Sequence, residues 1–191
     1  MIITIARECG CHGNLIGEKL SEKYSIPLYN KSKILELAKK DGLCQHFPNF
    51  LSEKDAGSFL TAIAAEGEEE VLRKTPGRVL TSIVGEKSGV LIGRCGNWVY
   101  HKNPDTVCVF LSGEKEQRIS HIMEKHDVSH RKAEAIVEET DQRRSAFQRY
   151  YTGEIWGYAG NYDLCLDVSQ TGIEGAVTLI DQYLKMKMQR S

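Results

Sequence analysis

The stretch Met1-Ile2-Ile3-Thr4-Ile5-Ala6-Arg7-Glu8-Cys9-Gly10-Cys11-His12-Gly13-Asn14-Leu15-Ile16-Gly17 runs an apolar strand into a glycine-bearing turn and then into a helix. A phosphate-binding loop begins in this order, because glycines let backbone amides form a concave nest and the next helix adds its positive N-terminal end. In the common form a lysine then reaches the outer phosphates and a Ser or Thr hydroxyl holds magnesium. Here Gly10 and Gly13 supply the turn, but Gly13 and Leu15 stand where the lysine and the hydroxyl are expected. Arg7 and His12 are the side chains able to restore a cation or a donor. The competing reading is a tight strand-to-helix turn with no ligand.

Outward from this loop, five short runs read as strands: Ile2 to Ala6, Ile26 to Tyr29, Val90 to Ile92, Thr106 to Leu111, and Asp163 to Val168. Most are continuously apolar rather than alternating, the pattern of strands buried on both faces of a parallel sheet. Helical patterns lie between and after them, over Asn14 to Tyr24, Lys31 to Lys40, Glu114 to Lys125, His130 to Tyr150 and Glu174 to Met188. The alternation predicts an α/β class with right-handed crossovers. Ile26-Pro27 and Asn103-Pro104 mark turns, and Ser112 and Ser129 are the expected helix N-caps.

With 191 residues and 41% apolar content the chain fits one domain, residues 1–191, around a single sizeable core. Residues 41–85 interrupt the alternation with a mainly helical excursion of the kind that covers a substrate or an interface. Its Phe47, Phe50, Phe59 and Leu60 read first as core packing, and the acidic run Glu66, Glu68, Glu69 and Glu70 as a solvated helix face. The formal charge of −1 excludes a globally basic binder of nucleic-acid polymers, so phosphate recognition falls to local Arg and Lys clusters. No apolar run is long enough to span a bilayer and the start lacks signal-peptide features, so the chain reads as soluble and cytoplasmic. Nothing in the sequence fixes an oligomeric state.

Six cysteines are present, and Cys108 and Cys165 read as small core residues. Cys9-Gly10-Cys11-His12 has the look of a metal half-site, but no second pair follows at zinc-site spacing, so no metal is assigned. His121, His126 and His130 do not share one metal-binding helix face.

Two further segments carry chemistry. Val90-Leu91-Ile92-Gly93-Arg94-Cys95-Gly96-Asn97 ends a buried strand in Gly-Arg, and ligands of open α/β sheets bind at the carboxyl ends of strands. Arg94 is therefore expected to offer its planar fork to a phosphate or a nucleobase edge, or else to pair with a surface carboxylate. Later, Thr140-Asp141-Gln142-Arg143-Arg144-Ser145-Ala146-Phe147-Gln148-Arg149-Tyr150-Tyr151 leads through Gly153 to Trp156-Gly157. Three arginines with glycine punctuation suit a segment, residues 140–160, that closes positive charge over phosphates; the alternative is a salt-bridged exposed helix. Helical spacing sets Asp141 beside Arg144. Lys31 and Lys33, after Tyr29-Asn30 at the end of the second strand, are placed to reach a nucleotide but read first as ordinary surface lysines.

Taken in order, these features resemble the cytidylate kinase-like family of P-loop nucleoside monophosphate kinases. The likeness rests on Ala6-Arg7-Glu8-Cys9-Gly10-Cys11-His12-Gly13, Ile26-Pro27-Leu28-Tyr29-Asn30-Lys31, Gly93-Arg94-Cys95, Thr140-Asp141-Gln142-Arg143-Arg144, Tyr150-Tyr151-Thr152-Gly153, Trp156-Gly157 and Asn161-Tyr162-Asp163-Leu164-Cys165. The resemblance implies a three-layer P-loop kinase-like fold, a five-stranded parallel sheet flanked by helices. It further implies transfer of a phosphoryl group from ATP, with Mg, to CMP or a related monophosphate. By the same resemblance Arg7, Gly10, Cys11, His12, Gly13 and Asn14 would surround donor phosphates, Arg94 would hold the acceptor, and Asp141, Arg143 and Arg144 would belong to the lid. Positioning and cationic stabilisation would then be nearly the whole mechanism. The usual loop of relatives reads Gly-Ser-Gly-Gly-Arg-Glu, whereas this chain has Gly10-Cys11-His12-Gly13-Asn14-Leu15. The alternative on the same fold is a catalytically weak or inactive nucleotide-binding regulator.

Overall fold

The computed structural model describes residues 1–52, 69–85 and 87–189. Five parallel strands form one sheet in the order β2-β3-β1-β4-β5. Strand β1 (Ile2–Arg7) is central, pairing β3 (Gly89–Ile92) from Ile2↔Gly89 to Ile5↔Ile92 and β4 (Thr106–Ser112) from Ile2↔Thr106 to Arg7↔Leu111. The short β2 (Leu28–Tyr29) lies outside β3, and β5 (Leu164–Asp167) outside β4.

The side-chain alternation of β1 explains the layers. Ile2 turns to one face with Leu91, Tyr29, Phe50, Leu80 and Phe147, whereas Ile3 and Ile5 turn to the other with Val90, Ile92, Ile16, Leu20 and Ile180. The first face is covered by α2 (Lys31–Lys40), α4 (Pro48–Ser52), α5 (Glu69–Ile83), α6 (Gly96–Tyr100) and α8 (His130–Thr152). The second is covered by α1 (Gly13–Tyr24) and α9 (Val168–Met188). A smaller core joins α7 (Lys115–His126) to α8 through Ile119, Ile122, Ala133 and Val137, with Cys9 of the loop packed among them. The expected α/β class and three-layer sheet are thus observed.

Several local expectations are corrected. β5 is an edge strand whose residues alternate in exposure, so Cys165 is exposed, while Cys108 is core as expected. Ser112 ends β4, and the N-cap of α7 is Glu114. Ser129 does cap α8 in position, without a side-chain hydrogen bond. α9 begins at Val168 instead of Glu174, because Asp167 accepts from the Ser169 N–H; the helix then kinks at Gly172. The short α6, over Gly96–Tyr100, was not foreseen.

In the excursion, α3 (Leu43–His46), α4 and α5 are helical. Phe50 is core at 1% exposure and Phe47 packs against the same cluster. Glu70 is exposed and pairs with Lys74 at 2.5 Å, as a solvated helix face would. Phe59, Leu60, Glu66, Glu68 and the Glu69 side chain lie outside the described residues. No helix among the described residues is long and apolar enough to cross a membrane.

Candidate functional site

The loop between β1 and α1 lies at the carboxyl end of the central strand, where the neighbouring connections leave in opposite directions. Ligands of open α/β sheets bind at such a switch point. α1 begins with His12 as N-cap at φ 50, and His12 makes no side-chain capping bond. The first-turn amides of α1 lack intrahelical acceptors, and that end carries partial positive charge. Asn14 and Leu15 are exposed beside it.

The side chains of the loop do not all face this opening. Cys9 belongs to the core between α7 and α8, and Cys11 to the core beneath α1, which separates the two thiols of the suspected half-site. Cys11 is 2% exposed, and burial, with the Glu8 carboxylate as second cause, pushes its thiol up to about 12. It is a neutral core side chain, and any contact of Cys11 with phosphate falls to its backbone. The His12 ring lies 4.1 Å from that of His121. Burial and His121 hold His12 below its ordinary pKa, so the ring is neutral at neutral pH.

Behind the loop stands a residue that sequence reasoning missed. Arg118, on α7, donates to Gly113 O at 2.9 Å and Cys9 O at 3.2 Å and pairs with Asp141 Oδ2 at 2.6 Å and Glu8 Oε2 at 3.4 Å. Asp141 in turn accepts the Cys9 N–H at 2.7 Å. His121, one turn after Arg118, donates from Nδ1 to Gly10 O at 3.0 Å. Helical spacing of Arg118 and His121 was visible, but nothing local announced that α7 crosses the loop.

A cleft of about 480 Å³, counting its open mouth, lies between the ends of β1 and β3 and helix α8. Arg7, Arg94, Arg143 and Arg144 line it, together with Asn97, Gln148 and Trp156. The Arg7 side chain passes so close to Gly13 that a Cβ there would sit 2.7 Å from its Cγ. Arg144 donates to Arg7 O at 3.0 Å and lies 3.9 Å from Asp141, confirming the expected one-turn neighbourhood. Arg143 reaches Thr140 Oγ1 at 3.4 Å. Arg94 differs from expectation. It does emerge at the end of β3, but at 4% exposure, and its guanidinium donates to Phe50 O and, at 3.0 Å, to Leu51 O. Among the described residues it is bonded to these carbonyls of α4. Gln148 and Asn97 are buried at the cleft floor, both bonded to Glu154. Lys33 pairs with Glu36 at 2.9 Å as an ordinary surface lysine.

The sequence profile of the cytidylate kinase-like family matches residues 2–170. The chain belongs to the cytidylate kinase-like family. No curated protein matches the sequence. Among solved structures, the fold is similar to an uncharacterized protein from Eubacterium ventriosum ATCC 27560, with 25% identity, a TM-score of 0.73 and 97% and 98% of the two chains covered. It is also similar to a shikimate kinase from Bacteroides thetaiotaomicron, with 13% identity, a TM-score of 0.50 and the same coverage of 97% and 98%. A gluconokinase from Sinorhizobium meliloti 1021 aligns with 10% identity, a TM-score of 0.52 and coverage of 99% and 96%. Shared topology with two named kinases, together with the family match, marks the fold as that of P-loop kinases.

Proposed function

We propose that this member of the family is a nucleoside monophosphate kinase-like phosphotransferase, taking ATP as donor and CMP or a related monophosphate as acceptor. The observation that carries this reading is the cleft lined by Arg7, Arg94, Arg143 and Arg144 beside the uncapped amino end of α1. Phosphoryl transfer asks a protein chiefly to hold two phosphates in line and to neutralise the charge that develops between them. Donor phosphates would lie over the Gly10 to Gly13 backbone with Asn14 at the rim, and Arg7, Arg143 and Arg144 would face the transferred group. Arg94 would act at the acceptor side by holding α4 in place, since its guanidinium is already bonded to the helix carbonyls. The excursion over 41–85 would cover that side, and 140–160 would close as a lid carrying Trp156 onto the cleft.

Among the described residues, no group of His, Cys, Asp and Glu side chains builds a magnesium cage. Leu15 stands where the magnesium-holding hydroxyl is expected, the Cys11 thiol is buried and a poor partner for a hard cation, and the nearby Glu8 and Asp141 carboxylates already accept from Gly113 N and Cys9 N and pair with Arg118. Magnesium would enter only with the triphosphate, held by phosphate oxygens and water.

That same absence of a loop cation and hydroxyl favours a second reading, a nucleotide-binding regulator with little or no turnover. A coupled assay with the purified chain, magnesium, ATP and a panel of monophosphates separates the two, with Arg143→Ala as the control. Turnover in the wild-type chain that the control lacks supports the enzyme. Turnover no higher than the control, with calorimetric binding of nucleotide retained, supports the regulator.

A further inference from the structure

Cys9 is gripped on both sides of its backbone by one ion pair. Its N–H donates to Asp141 Oδ1 at 2.7 Å, its carbonyl accepts from Arg118 at 3.2 Å, and the two side chains meet at 2.6 Å. The next carbonyl, of Gly10, is held by His121 at 3.0 Å. Both carbonyls therefore point toward α7. In a trans peptide the C=O of one residue and the N–H of the next point in opposite directions. Holding Cys9 O against α7 thus turns the Gly10 N–H to the opposite side of the loop, while the Cys11 N–H donates to Glu8 O at 3.4 Å and closes the turn.

Arg118 is not itself a spare cation. Its side chain is 12% exposed, its charge faces Asp141 and Glu8, and its Nε donates to Gly113 O, so the next turn of chain after β4 is tied to the same group. Asp141 is 19% exposed and comes from α8, the helix that opens the proposed lid. Two consecutive helices therefore meet on one loop residue, which lies 132 positions before Asp141 and 109 before Arg118.

We propose that Arg118 is a positioning residue, which with Asp141 sets the direction of the loop amides and thereby the loop's affinity for a polyphosphate. The inference rests on the reading of Gly10 to Gly13 as a phosphate loop. It assigns to the clamp a part of what the missing lysine does elsewhere, by orienting the backbone donors ahead of binding instead of touching the phosphate.

The test uses the full chain and inorganic tripolyphosphate as the probe, with affinity read by calorimetry and loop order by amide hydrogen exchange. Arg118→Ala is expected to weaken binding at least tenfold and to speed exchange of the Cys9 amide. Arg118→Lys keeps a cation near Asp141 but cannot hold Gly113 O and Cys9 O with one planar fork, and is expected to fall between the two. Should Arg118→Ala not fold, Arg118→Lys decides by the same criterion, with at least a threefold loss required. A folded variant whose affinity stays within twofold of wild type, whatever its loss of thermal stability, overturns the inference alone. Absence of tripolyphosphate binding by the wild-type chain overturns the phosphate-loop reading, and this inference with it.

Discussion

The Arg94 guanidinium lies 5.8 Å from the Phe50 ring centroid and 5.6 Å from that of Phe147, while donating to the carbonyls of Phe50 and Leu51. One side chain at the end of β3 thus fastens α4 to α8 through both charge and ring contacts. Removing it leaves two buried carbonyls without their donor, at roughly 1–3 kcal/mol each, and forfeits the cation–π contacts. Arg94→Ala is accordingly expected to lower the urea midpoint strongly, and Arg94→Lys to recover only part of the loss. Equal midpoints for Arg94→Ala and wild type would remove the structural role argued for it.

Gly10 and Gly42 both have positive φ, at 87° and 71°, yet their surroundings differ. A Cβ on Gly10 would sit 2.6 Å from the carbonyl oxygen of Arg118, backbone that cannot swing away, whereas nothing lies within 4 Å of one on Gly42. Gly42→Ala is expected to cost only the left-handed penalty of about 1–2 kcal/mol. Gly10→Ala adds displacement of α7 from the loop, and should cost more and abolish polyphosphate binding, which Gly42→Ala leaves intact. Denaturant titration and calorimetry on the pair check both parts; similar behaviour of the two variants contradicts the argument.

The strands that the sequence showed best were those buried on both faces. β1, β3 and β4 are continuously apolar because each has a strand on either side and helices above and below. β5 was misread for the same reason: Leu164-Cys165-Leu166 is as apolar as a central strand, but at the sheet edge Cys165 meets solvent. At the site, the loop and the Arg143-Arg144 pair were legible from residue type and spacing. The inward turn of Arg94 was not, since it depends on Phe50 and Phe147, which lie far from it in sequence. Arg118 was invisible for a similar reason, because an arginine early in an amphipathic helix acquires its role only where α7 crosses Gly10.

Cys11 occupies the place of a loop hydroxyl, but its thiol is enclosed by the core beneath α1. A thiol reagent at pH 8 is expected to label Cys165 and spare Cys11, Cys95 and Cys108, as read by peptide mass spectrometry. Partial burial also raises the Cys165 thiol, so its labelling should be slower than that of free cysteine. Cys11→Ser is expected to destabilise by about 1–3 kcal/mol, the cost of an unpaired hydroxyl in an apolar site. It should bring no gain in magnesium affinity, because the side chain turns away from the loop's open face. A gain would show that position 11 reaches the phosphate side.

Asp181 joins α1 to α9, accepting from Lys185 at 2.8 Å and Tyr24 at 2.7 Å and pairing with Lys23 at 3.1 Å. Lys185, then Tyr24 and Lys23, hold its carboxyl well below the ordinary carboxylate range against the opposing effect of burial. Because the folded state favours the charged form, the resulting stability is fully present above the unfolded pKa of about 4 and is lost as pH falls below it. Asp181→Asn is expected to be less stable than wild type at pH 7, with the difference shrinking steadily once the pH drops under about 4. Urea midpoints of both proteins across that range measure the difference directly, and a gap that does not narrow with acid would show that the carboxylate charge is not what binds the two helices.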